Sequence, residues 1–424
     1  MKNFVIKGDI CYSENIDTLI TLKDHYLVCE NALCKGIYTE LPLEYSSLEF
    51  FDYSGKLIIP GMTDLHTHAP QFAFRSLNMD SELLDWLNNS AFKEEAKYSD
   101  NDYALKAYEI FADTLRHSVT TRACIFATIH IDATKILMDL LEKTGLLTYV
   151  GKVNMDRNSP NELCEESAEK SAEDTVRWIN DTTDKLQNTY PILTPRFIPS
   201  CTDELMIKLG EIQREYNLPV QSHLSENKDE IKWVQELCPN SKNYGDAYDS
   251  FGLFGKNAKT VMAHCVYSTD EEVELMKDNG VFVAHCPASN TNLSSGIAPI
   301  KRYLEKGLKV GLGTDMAGGH SDSLFRAIAD TVQMSKLYYR LVDSTTKPVT
   351  FNEAFYLATK GGGEFFGKVG SFESDYEFDA VVIDDSVLPH PQELTVYERL
   401  QRAVYLNADC KGLFAKFVKG KKII

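Results

Sequence analysis

Between residues 57 and 341 the chain repeats one pattern: a short apolar run of strand character, then a longer amphipathic stretch of helical character. The strand-like runs fall at 57–68, 119–127, 146–153, 191–198, 219–223, 259–265, 280–285 and 309–315. Helical spacing is clearest at 103–116, where Ala104, Tyr108, Phe111 and Leu115 share a face, and recurs at 133–142, 165–186 and 204–215. A long helix over 323–341, with Leu324, Ile328 and Val332 on one side, closes the series. Parallel strands require crossover helices, and eight such units predict a closed (β/α)8 TIM barrel whose chemistry lies where the strands end.

The flanks read differently. Residues 1–56 alternate short apolar runs (Phe4-Val-Ile, Leu19-Ile-Thr-Leu, Tyr26-Leu-Val-Cys) with turn residues, and 368–424 carries Phe378-Asp-Ala-Val-Val-Ile383 and Leu413-Phe-Ala-Lys-Phe-Val418. The two segments predict a small β-sandwich domain beside a barrel spanning 57–367. With 43% hydrophobic residues the 424-residue chain can fill such a core. A formal charge of −18 argues against nucleic acid or an anionic membrane as partner, because either needs a basic patch. Ten cysteines without a Cys-x-x-Cys pair suit reduced thiols, and no apolar run resembles a signal peptide or a membrane span. A soluble, cytoplasmic protein is expected.

Polar residues collect at the predicted strand ends. His66 and His68 end the first strand and, two apart, face the same side. Arg196 stands at the end of the fourth, His223 of the fifth, His264 of the sixth, His285 of the seventh and Asp315 of the eighth. A His-x-His pair alone fits two surface histidines equally well. Five of ten histidines at strand ends favours a metal centre. Three histidines and an aspartate offer nitrogen and oxygen ligands with room for a water, which suits zinc or iron better than calcium. Glu226, three residues after His223, could merely open the next helix; beside an activated water it becomes a proton carrier. His264 could be a core histidine or a hydrogen-bond partner of a developing oxyanion. His285 reads about as well as a brace that never touches substrate. Asp315 can bind metal and relay a proton; an N-cap role is disfavoured by Gly318 and Gly319.

These motifs, Pro60-Gly-x-x-Asp-x-His-x-His, His223, His264 and Gly313-Thr-Asp315, resemble the amidohydrolase superfamily in its mononuclear deaminase form. Further pieces narrow the likeness to the branch acting on guanine. They are His68-Ala-Pro-Gln71, Leu84-Asp-Trp-Leu87, Val150-Gly-Lys-Val-Asn-Met-Asp156, Thr194-Pro-Arg-Phe197, Gln221-Ser-His-Leu-Ser-Glu-Asn227 and Ala284-His-Cys-Pro-x-Ser-Asn290. The resemblance implies one zinc per chain (or iron) held by His66, His68, His223 and Asp315. It implies Glu226 as the acid/base, assisted by His264 and Asp315. It places guanine against Gln71, Arg196 and Phe197, beside His223, Glu226 and Asp315, for hydrolysis to xanthine and ammonia. A homodimer is the usual state of the family.

Arg196 has a second reading as an internal salt bridge of an acidic protein. Two departures stand out: relatives often have glycine where Cys265 follows His264, and the turn at Phe372-Glu-Ser-Asp375 lacks the usual glycine. Two rival functions remain open at this point, a related amidohydrolase acting on cytosine, S-adenosylhomocysteine or a triazine, and a non-catalytic scaffold barrel. The His-x-Glu and Pro-Cys-x-x-Cys signature of deaminases that act on flipped bases is absent.

Overall fold

The structure, a computed structural model, describes residues 3–424. Four strands precede the barrel: β1 (Phe4–Ser13), β2 (Leu19–Glu30), β3 (Leu33–Tyr38) and β4 (Glu49–Pro60). The barrel follows with β5 (Met62–His68), β6 (Thr120–Phe126), β7 (Leu147–Gly151), the two-residue β8 (Val153–Asn154), β9 (Thr189–Pro191) and β10 (Thr194–Pro195). It continues with β11 (Val220–Leu224), β12 (Thr260–His264), β13 (Phe282–His285) and β14 (Lys309–Leu312). Eight of these form a parallel sheet in the order β11-β12-β13-β14-β5-β6-β7-β9, and a parallel bridge between Leu193 and Val220 closes the circle. The predicted TIM barrel is what forms.

Two local differences have physical causes. The run 57–68 is not one barrel strand: it divides at Pro60-Gly61. Leu57–Pro60 pairs with β1 and with the C-terminal strand β15 (Ala380–Ile383), so this apolar opening belongs to the flanking sheet. A side chain at Gly61 would overlap that of Thr121, so only glycine lets the chain pass from one sheet into the other. The fourth run, 191–198, is also broken. Pro191 and Pro195 have no N–H to give a ladder, and β10 pairs with β8 rather than continuing the barrel sheet.

The strands β16 (Leu413–Val418) and β17 (Lys421–Lys422) complete a seven-stranded sheet in the order β17-β16-β15-β4-β1-β2-β3, with β1 and β4 parallel. The expected sandwich takes the form of this one sheet folded over itself. Phe4 on β1 and Phe417 on β16 are three strand positions apart, about 14 Å in a flat sheet. Their rings nevertheless stack at 5.1 Å. Phe378, Ile58 and Val382 fill the same core. The C-terminal segment also carries a helix, Val396–Leu406, opened by a Thr395/Glu398 capping box. Among the described residues no helix is long and apolar enough to cross a membrane.

Buried charge joins sheet to barrel. Arg122 on β6 donates from Nε to Asp379 Oδ2 (2.7 Å) and from Nη2 to Asp379 Oδ1 (3.1 Å) and Glu377 Oε2 (2.8 Å). The ammonium of Lys416 on β16 donates to the carbonyls of Leu115, Arg116 and Ser118, where the helix Asn101–Arg116 ends. Replacing Arg122 by methionine strands the Asp379 carboxylate in the interior. Urea unfolding of Arg122→Met should show a loss of about 3–5 kcal/mol; a loss below about 1 kcal/mol would contradict this account of the junction.

Candidate active site

The site is assembled at the C-terminal rim of the barrel strands. On β5, three steps from Asp64 to Thr67 are matched by two on β6, a bulge that re-aims the strand just where His66 and His68 stand. Asp64 fixes this segment to the loop after β14: its carboxylate accepts from Thr314 N (3.1 Å), Thr314 Oγ1 (2.6 Å) and His66 N (3.1 Å). Asp315 N in turn donates to the carbonyl of His66 at 2.8 Å. The aspartate is thereby laid beside the His-x-His pair although 247 positions separate it from His68 in sequence.

The donor atoms converge. His68 Nε2 lies 3.3 Å from His66 Nε2 and 3.2 Å from His223 Nε2, and Asp315 Oδ1 lies 3.1 Å from His66 Nε2 and 3.4 Å from His68 Nε2. Four ligands around one ion with bonds of about 2.0–2.1 Å are spaced about 3.0–3.4 Å apart, so this set fits a divalent metal. Burial drives His68 and His223 well below the usual imidazole range, which leaves them neutral with lone pairs to offer. His223 Nδ1 donates to the Arg196 carbonyl at 2.6 Å and turns Nε2 inward. Burial opposes charge on Asp315, but the adjacent His66 outweighs it and holds the carboxyl well below its ordinary value. Facing lone pairs this close together repel unless a cation or a shared proton lies between them.

His264 sits at the edge of this cluster. Its Nδ1 pairs with Asn290 Oδ1 (2.9 Å), and its Nε2 is 3.4 Å from Glu226 Oε2 and 3.7 Å from Asp315 Oδ2. With His66 and His223 it forms a second possible metal-holding triple. Glu226 is buried and accepts from Ser295 Oγ at 3.0 Å, while its own N–H donates to Glu230. Burial, then the negative charge of Asp315, pushes Glu226 up to about 8, where a carboxyl group can both give and take a proton near neutrality. His285 is buried beside His264 but does not line the pocket, and its Nδ1 has no hydrogen-bond partner among the described residues.

One pocket is lined by the predicted residues His68, Gln71, Arg196, Phe197, His223, Glu226, His264 and Asp315. Arg196 lines the pocket, and it makes the internal salt bridge of its second reading, a bidentate buried ion pair with Glu95. Sequence reasoning missed Glu95, which lies in the charged stretch Lys93-Glu-Glu-Ala-Lys97. It also missed the role of Glu230, which Asn227-x-x-Glu230 announces as a capping box. The apolar wall of Leu83, Trp86, Leu87 and Leu293 went unassigned, although Trp86 and Leu87 lie in a motif noted above.

Fold and metal-binding rim together define a class, and the chain belongs to the amidohydrolase family, whose model matches residues 57–417. Within that family, guanine deaminases are among its relatives. The guanine deaminase of Dictyostelium discoideum is 39% identical over 380 residues, 88% of this chain and 83% of that one. The guanine deaminase of Mus musculus is 39% identical over 398 residues, 90% and 84% of the two chains. The crystal structure of a guanine deaminase from C. acetobutylicum, with guanine bound in its active site, superposes with a TM-score of 0.96 at 45% identity over the whole of both chains.

The raised Glu226 has a thermodynamic signature. Folded, it holds its proton up to about 8; unfolded, only to about 4.5. Between those values the folded state binds more protons, so stability of the metal-free protein falls as pH rises. Glu226→Gln removes this contribution, and the thermal midpoint of the metal-free variant should decline less steeply than wild type between about pH 5 and 8. Equal slopes would contradict the assignment.

Proposed function

We propose that this chain hydrolyses guanine to xanthine and ammonia at the pocket just described. The observation that carries the reading is that one cavity is lined by His68, His223 and Asp315 of a donor set able to hold a metal, by a buried carboxyl poised near neutral pH, and by Gln71, Arg196 and Phe197. His66, His68, His223 and Asp315 would hold one ion, and three nitrogens with one oxygen suit zinc, with iron as the other candidate. Such an ion, when bound, supplies Lewis acidity and brings water within reach of deprotonation at neutral pH.

The chain's own groups then divide the proton work. Glu226 takes a proton from the water that attacks C2, the carbon bearing the amino group, and returns it to the adjacent ring nitrogen. His264, its Nδ1 fixed on Asn290, directs Nε2 at the oxygen on which charge develops. Asp315 accepts the second proton of the water and passes it to the departing amino group. A C–O bond forms, the C–N bond breaks, and ammonia leaves. Phe197, braced edge-on by Trp233 with ring centroids 6.2 Å apart, supplies a flat apolar contact for the base, and Gln71 and Arg196 supply polar contacts. The same reading includes a cytoplasmic location, supported by ten cysteines that form no disulfide among the described residues. It also includes a homodimer, for which Leu337, Leu341 and Val342 offer exposed apolar surface at one helix end.

Purified protein should release ammonia from guanine and not from cytosine or an aminotriazine. Glu226→Gln should keep its metal yet lose turnover by about 10³-fold or more. Near-normal turnover in a metal-loaded variant would remove Glu226 from the proton-carrier role.

A further inference from the structure

Behind the pocket wall a single carboxylate holds both residues assigned to the purine. Glu95 Oε1 accepts from Gln71 Nε2 at 2.8 Å and from Arg196 Nη2 at 3.0 Å, and its Oε2 accepts from Arg196 Nη1 at 2.6 Å. Glu95 is 1% exposed and takes no part in the cavity wall. The other end of the Gln71 amide is also occupied, since Oε1 accepts the N–H of Ala317 at 3.0 Å. The guanidinium packs against the Phe92 ring, 5.0 Å from its centroid. Arg196 has five N–H donors and no acceptor, and Gln71 has two N–H donors and one carbonyl. The carbonyl is held toward Ala317, and one Gln71 proton and two Arg196 protons are spent on Glu95, which leaves one Gln71 N–H and three Arg196 N–H groups for a ligand.

We propose that Glu95 is the positioning residue that sets the substrate class: it turns N–H groups of Gln71 and Arg196 to the pocket as donors, which selects 6-oxopurines over 6-aminopurines. The inference rests on the deaminase reading above and adds the reason for its selectivity. In guanine, O6 and N7 are adjacent acceptors on one edge, the edge an arginine grips with two hydrogen bonds. C2 lies across the six-membered ring from C5, the atom between C6 and N7. A ligand held by the O6/N7 edge therefore turns its 2-amino carbon away from Arg196 and toward Glu226. A 6-amino group would point N–H donors at N–H donors and leave both unpaired, and a site built around a particular hydrogen bond rejects such mismatches strongly.

The test uses two purines with the same 2-amino group. Wild-type enzyme should prefer guanine over 2,6-diaminopurine in kcat/KM by about 10³-fold or more. In Glu95→Gln the amide oxygen can keep the contacts made at Oε1, but the amide NH2 then faces Arg196 Nη1–H, so the two-point grip that orients the guanidinium is lost. The preference should then drop at least about tenfold, with the loss on guanine carried mainly by KM. A folded, metal-loaded variant with unchanged preference and KM would reduce Glu95 to a merely structural group and overturn the proposal. Should the variant not fold, calorimetry on wild type decides the donor edge: hypoxanthine, which keeps the O6/N7 acceptors, should bind at least about 100-fold tighter than adenine. Equal binding overturns it. Wild-type protein that releases no ammonia from guanine would overturn the function itself, and the hypoxanthine and adenine measurement would still decide the donor edge.

Discussion

Three imidazole nitrogens and a carboxylate oxygen, linked by contacts of 3.1–3.4 Å in a buried rim, are the constraint on which the rest of this structure depends. Facing lone pairs at that spacing are unfavourable without a cation or a shared proton, and holding them there demands a rigid support. The barrel provides it. Each donor stands at or just beyond the end of a strand, where the backbone is fixed by the ladder and the side chain is not. Asp64 and the Asp315-to-His66 backbone bond fasten the first and last strands of the barrel at the point where their ligands meet.

Around that centre, charge is arranged in complementary pairs. Asp315 remains ionised beside the histidines, and its charge adds to burial in raising Glu226. Two carboxyl groups of one site are thus shifted in opposite directions, a division set by environment and not by residue type. The same logic operates away from the rim, where Arg122 with Asp379 and Lys416 with three carbonyls join the flanking sheet to the barrel. The flanking sheet therefore belongs to the stability of the barrel it borders.

Much of this was legible in the sequence because it depends on short-range pattern. Apolar runs followed by helical spacing identified the barrel, and histidines at the ends of those runs identified the rim. What escaped depends on contacts between distant segments. Glu95 sits in a charged stretch, and only the fold brings it to Arg196, 101 positions away. The breaks at Pro60-Gly61 and Pro191 were written in prolines, but apolar residues on either side made the runs look continuous. The two missing glycines prove informative. Cys265 and Asp375 both adopt left-handed backbone, with φ of 50° and 67°, where glycine is the unstrained residue. This chain bears that strain, at the first position directly after His264.

X-ray absorption at the metal edge of the purified, metal-loaded protein tests the central claim most directly. The account predicts one ion per chain with three nitrogen neighbours and one carboxylate oxygen at about 2.0–2.1 Å, and it predicts loss of one nitrogen in His68→Ala. A first shell unchanged by that substitution, or one built on His264 in place of His68, would contradict it.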